Sequence, residues 1–166
     1  LNTVNIGCIV VTGNALLESS GGHAWNIVRI NGAAYHLDAT WDIANSTRSS
    51  ICYDYFNLSQ DEILKDHSDF HGVPPCIQTA ENYFVKTGLD FADVKTATKY
   101  LNKRLDAGDK RIYFRLSSST IRIHDVSSDL VQLGLSKVSS DGYHWTATHS
   151  ANEQQNTLKI VFNIRV

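Results

Sequence analysis

Methionine is missing from this chain altogether, cysteine occurs three times and proline twice. Cys8, Cys52 and Cys76 are odd in number and irregularly spaced, which fits neither a disulfide framework nor a zinc knuckle. Three buried thiols are expected, with Cys52 to Cys76 the least strained pairing if one bridge forms; the redox compartment stays open. Net charge is almost absent, at −2, so there is no electrostatic case for nucleic acid or an anionic membrane as partner. No apolar run approaches the roughly 20 residues a membrane helix needs. The opening LNTVNIGCIVV lacks the basic start and cleavage site of a signal peptide. With no methionine, Leu1 first and the apolar TLKIVFNIRV last, the chain is expected to be a piece of something longer, its first element cut.

What is present is ordinary for a globular fold: 42% hydrophobic and 19% charged residues over a length of 166, enough for one core, so that one domain, or one domain plus a small appended unit, is expected. IGCIVVTG reads as a strand. HAWNIVRI and AAYHLDATW read as strands flanking Asn31-Gly32, a strong two-residue hairpin signal. DIANSTRSSICYD reads as a loop. Ser59 with Glu62 three residues on predicts a capping box on a short helix, and Pro74-Pro75 breaks the chain. Further on, Phe91, Val94, Thr98, Leu101 and Leu105 recur at helical spacing, with Gly108 as the stop. RIYFRLS reads as a strand, SSDLVQLGL as a helix with a serine cap, and TIRIHDV is ambiguous. YHWTATHS and TLKIVFNIRV are two strands joined by ANEQQN.

The stretch GGHAWNIVRINGAAYHLDATWD concentrates histidine, tryptophan and aspartate around the turn. If Ile30 faces Ala33, then His23 faces Thr40, Trp25 faces Asp38 and Ile27 faces His36, all on one side of the ribbon. His23 and Asp38 are then diagonal neighbours, roughly 7–8 Å apart at the backbone. A carboxylate on one imidazole nitrogen fixes the tautomer and favours the protonated ring, leaving the other nitrogen to deprotonate a nucleophile. His36 competes for the same carboxylate, and spacing alone does not choose between the rings. An arbitrary pair of this kind reads as polar groups satisfied on a half-buried sheet, with Trp25 and Trp41 as core.

The letters add to the spacing. HAWNIVRINGAAYHLDATWD closely resembles the transglutaminase-like cysteine enzyme superfamily. Its bacterial members carry a His-Ala-Trp-Asn strand, a turn and a Tyr-His-Val-Asp-x-Thr-Trp-Asp strand. YDYFNLSQDEILKDH is similar to the family's Tyr-Phe-Leu-x-Ser-Asp-Glu-x-Met stretch, and the likeness covers roughly residues 4–90. The resemblance implies an α+β fold: an antiparallel sheet in a papain-like core over 1–90, followed by a small C-terminal α/β unit over 91–166. It implies thiol acyl transfer or peptidase chemistry, with His23 as the catalytic histidine and Asp38 as the catalytic aspartate. His36 matches a flanking position; with Trp25 and Trp41 it is expected to line the cleft. The family's nucleophilic cysteine lies upstream, on a helix before the strand that NIGCIVVTG matches. The chain is therefore expected to carry base and orienter without the attacking atom, and to be inactive as it stands. The alternative is a non-catalytic surface or binding module on the same fold. The expected partner is a protein or peptide substrate, cell-wall peptide included, at a bacterial cell surface or outside the cell, with no cofactor and no metal.

Other constellations read as structural. Asp66, His67, Asp69 and His71 include a His-x3-His spacing, but no cysteine joins them and prolines follow, so a polar loop is expected. Lys103, Arg104, Lys110, Arg111 and Arg115 are expected on a solvated face, and Trp145 in a core rather than on a sugar platform.

Overall fold

The computed structural model describes residues 5–16, 22–48, 50–139 and 142–164. The chain is α+β and folds as two compact units, residues 1–86 and 87–166.

In the first unit, β1 (Cys8–Ala15), β2 (His23–Ile30), β3 (Ala33–Leu37) and the short β4 (His67–Ser68) form an antiparallel sheet of order β3-β2-β1-β4. Asn31 and Gly32 have φ of 52° and 83°, the left-handed pair that matches the twist of a two-residue hairpin. The register follows the turn, with Ile30 opposite Ala33 and Ile27 opposite His36. It ends at the pair Asn26–Leu37. The expected pairs of His23 with Thr40 and Trp25 with Asp38 do not form in the ladder. Asp38 instead caps α1 (Ala39–Ala44), its Oδ1 accepting the N–H groups of Thr40 (3.0 Å) and Trp41 (3.2 Å). Thr40 and Trp41 are thus helical, Thr40 is exposed, and the start of the expected DIANSTRSSICYD loop belongs to α1.

Ser59 and Glu62 form the predicted capping box on α2 (Gln60–Ile63). The core beneath the sheet holds Val11, Trp25, Ile27, Trp41, Tyr55, Leu58, Ile63, Phe70 and Cys76. Gly13, opposite His23, cannot be larger: a Cβ there would sit 2.4 Å from the Ser68 carbonyl oxygen and 2.8 Å from Trp25 Cη2. α3 (Tyr83–Thr87) runs one residue past the end of this unit, and Gly88 stops it at φ 70°. All three cysteines are free thiols. Cys52 and Cys76 are buried as expected, whereas Cys8 is half-buried.

The second unit orders β5 (Asp90–Phe91), β6 (Arg111–Leu116), β8 (Thr157–Ile164) and β7 (Trp145–Asn152) into one sheet, parallel only between β5 and β6. Its helices are α4 (Val94–Asp106) and α5 (Ile123–Val138). Phe91 lies in β5, not in the expected helix; α4 starts after Asp93, whose side chain accepts the Thr96 N–H. The helix buries Ala97, Leu101 and Leu105, and Gly108 follows it at φ 83°. The ambiguous TIRIHDV resolves into the start of α5, and no serine caps that helix. The cap comes from the β7–β8 turn: Asn156 Oδ1 accepts the Ile123 N–H at 2.6 Å, and its Nδ2 donates to the carbonyls of Leu116 and Ile121.

Of the basic residues expected on a solvated face, Lys103, Arg104, Lys110 and Arg111 are exposed and Arg115 is not. Arg115 is buried and grips Asp90 through Nε–Oδ1 (2.8 Å) and Nη2–Oδ2 (3.1 Å), while Arg104 pairs with Asp109. Trp145 packs on the edge of the core with the Lys110 ammonium 5.2 Å from its ring centre.

Candidate functional site

His23 and Asp38 meet. His23 opens β2 and Asp38 follows β3, so the hairpin brings both to the same end of the ribbon. The His23 Nε2–H donates to Asp38 Oδ2 at 2.7 Å, and the two residues are 8% and 0% exposed. With the Nε2 proton committed to the carboxylate, Nδ1 is the basic atom of the neutral ring. Trp41 from α1 lies tilted against His23 (ring centres 5.4 Å apart), and Trp25 stacks beside it at 6.0 Å.

The competing ring is settled by its partners. His36 takes the Trp25 indole N–H on Nδ1 (3.0 Å) and donates from Nε2 to Gln60 Oε1 (3.1 Å). It is a neutral core histidine: burial holds its pKa below the ordinary value, against the opposing pull of Gln60. Its contacts lie with Trp25 and Gln60, not with Asp38. Trp25, His36 and Trp41 are all buried.

The second imidazole on Asp38 is His67, which the sequence reading assigned to a polar loop. His67 Nε2 donates to Asp38 Oδ2 at 3.2 Å and Nδ1 donates to Asp66 Oδ1 at 2.6 Å. The Tyr55 hydroxyl donates to the other Asp66 oxygen at 2.7 Å. Burial works to lower the His67 pKa, but the two carboxylates outweigh it and hold the ring above its ordinary value. Burial likewise works to raise the Asp38 carboxyl, yet hydrogen bonds from His67, His23 and the Trp41 backbone leave it below the usual range. His67 reaches the site because β4 pairs with β1, Ala15 opposite His67, across 52 positions of sequence. The only sequence signal was the Asp-His dipeptide itself. Asp69 is exposed with its Oδ2 on Asn14, and His71 is exposed; neither joins the group.

Oδ2 of Asp38 and donor atoms of His23 and His67 lie within 4.8 Å of one another. A cation among them would have to displace the two protons those hydrogen bonds hold, and no metal is assigned to these residues.

Cys8 is placed elsewhere, and Cys76 is unsuited to attack. Cys8 pairs with Val28 while Gly13 pairs with His23, which puts Cys8 roughly 16 Å along the sheet from the imidazole. It lines an apolar hollow of about 650 Å³ at the turn end of the hairpin, with Ile9, Ile27, Arg29, Pro75 and Ile77. Burial pushes the Cys76 thiol up to about 11. The Cys52 thiol hydrogen-bonds Asp42. Among the described residues, no helix is long and apolar enough to cross a membrane. The chain matches no protein-family model and no curated protein.

Proposed function

We propose that residues 1–86 carry the base and orienter of a transglutaminase-like thiol acyl transferase or peptidase on a papain-like core. The observation that carries the reading is the buried 2.7 Å contact between His23 Nε2 and Asp38 Oδ2. Asp38, itself tied to the start of α1, holds the imidazole in one tautomer. His23 Nδ1 takes the proton of a cysteine thiol, and the thiolate attacks the carbonyl carbon of a protein or peptide amide. The proton then passes from His23 to the departing amine, which leaves a thioester. A second amine or water, deprotonated in turn by His23, releases the acyl group and restores the thiol. In this reading the thiol is supplied from outside these 166 residues, by a preceding segment or another chain. The substrate is a protein or peptide, cell-wall peptide included, met outside the cell or at its surface.

One observation favours a second reading, a non-catalytic binding module: Cys8 lies far along the sheet from His23, and burial raises the Cys76 thiol rather than activating it. The two readings part on the protein with its native upstream sequence, assayed for amine incorporation and peptide hydrolysis. The enzyme reading expects thiol-dependent turnover that His23→Ala abolishes and His36→Ala only reduces. A residue other than cysteine at the upstream position, with no turnover, overturns the enzyme reading and supports the binding module.

A further inference from the structure

We propose that His67 is a positioning residue that sets the basicity of His23 through the carboxylate oxygen both rings share. The inference deepens the reading of His23 and Asp38 as base and orienter, and rests on it.

Five side chains form one hydrogen-bonded line: Tyr55 hydroxyl to Asp66, Asp66 to His67, His67 to Asp38, Asp38 to His23. Asp66, His67 and Asp38 are almost wholly buried. An imidazole with an ionised carboxylate at each nitrogen keeps both protons, because each acceptor takes an N–H and offers none back. His67 is therefore a cation, fixed against the oxygen that orients His23. That oxygen divides its charge between two N–H donors, so it stabilises a protonated His23 less than an unshared carboxylate would. The two rings lie 5.4 Å apart centre to centre, so the His67 charge also opposes a second cation at His23 directly. Both effects act in one direction, against a second positive charge beside His67.

The surroundings make the coupling strong. Trp25, Trp41 and Tyr55 ring His67 at 4.8, 4.6 and 5.8 Å, so little water screens it. The ionisable groups that act on it are Asp38 before α1, Asp66 before β4, His23 on β2, and the neutral His36 on β3. The Asp38 charge in turn acts on Asp42 of α1.

The test is an imidazole ¹⁵N and ¹H titration of the 166-residue chain. In the wild type, both His67 nitrogens are expected to carry protons through neutral pH. His67→Gln keeps an N–H for Asp38 and removes the charge, and is expected to raise the His23 midpoint by about one pH unit, a tenfold change in proton affinity. A merely structural His67 would leave the His23 midpoint where it is. An unmoved midpoint in folded His67→Gln overturns the proposal, as does a neutral His67 in the wild type, which needs no variant to fold. The titration requires no turnover: a moved midpoint in a protein that proves inactive upholds the role of His67 and overturns the enzyme reading alone.

Discussion

Asp38 accepts two backbone N–H groups on one oxygen and two imidazole N–H groups on the other, while Asp42, one turn further along α1, is buried with weaker compensation. Burial is the main reason the Asp42 pKa rises to about 7; the Tyr55 N–H offsets part of it, and the charges of Asp54 and Asp38 add to it. The signs differ among the groups. Asp38 is held low, so its stabilisation is present above the ordinary carboxylate range and lost as pH falls through its lowered value. His67 is held high, so its contribution is full below its ordinary value of 6.5 and lost as pH rises through its raised value. His36 is held low, so its contribution is present above 6.5 and lost as pH falls. Asp42 binds its proton more tightly in the folded chain than at the ordinary 3.8, so stability declines as pH rises from about 4 to about 7. Asp42→Asn keeps the acceptor for Tyr55 and removes the charge. It is expected to flatten that decline, gaining about 2–4 kcal/mol over wild type at pH 8 relative to pH 4, read from urea midpoints. Parallel wild-type and variant curves would contradict this.

Asn156 illustrates what an element takes from a distant part of the chain. It sits at φ 58° in the β7–β8 turn, where glycine would fit the backbone equally well, yet its amide caps α5 and holds two carbonyls near the helix start. Asn156→Gly is expected to lower stability by about 2 kcal/mol, with the loss of amide exchange protection concentrated at Ile123 and the first turn of α5. A uniform loss, or none, would mean the cap contributes little. This is also where the sequence stops being readable. The Asn31-Gly32 turn and the Ser59–Glu62 capping box are local devices, and both stand as their letters imply. The approach of His23 to Asp38 was legible because a two-residue turn fixes its register. The end of β3 was misread because Asp-Ala-Thr-Trp suits an alternating strand as well as a helix cap, and the orphan N–H groups of α1 decided between them. His67 and the Asn156 cap depend on pairings that no nearby turn announces.

At the scale of the whole chain, each core is built from one unit alone. The first draws on positions between Val11 and Cys76, the second on positions between Leu89 and Phe162. Residues 87–166 contain every strand of their sheet, both helices and the Arg115–Asp90 grip. Expressed by themselves, they are expected to unfold cooperatively in urea with dispersed amide resonances; a broad, non-cooperative transition would show that the unit leans on the first. The contiguity of the first core also has a consequence for biosynthesis. His23, Asp38 and His67 are all polymerised before the second core begins, and synthesising residues 87–166 takes on the order of several seconds. Assembly of the buried relay can thus finish on the ribosome, while the second unit is still being made.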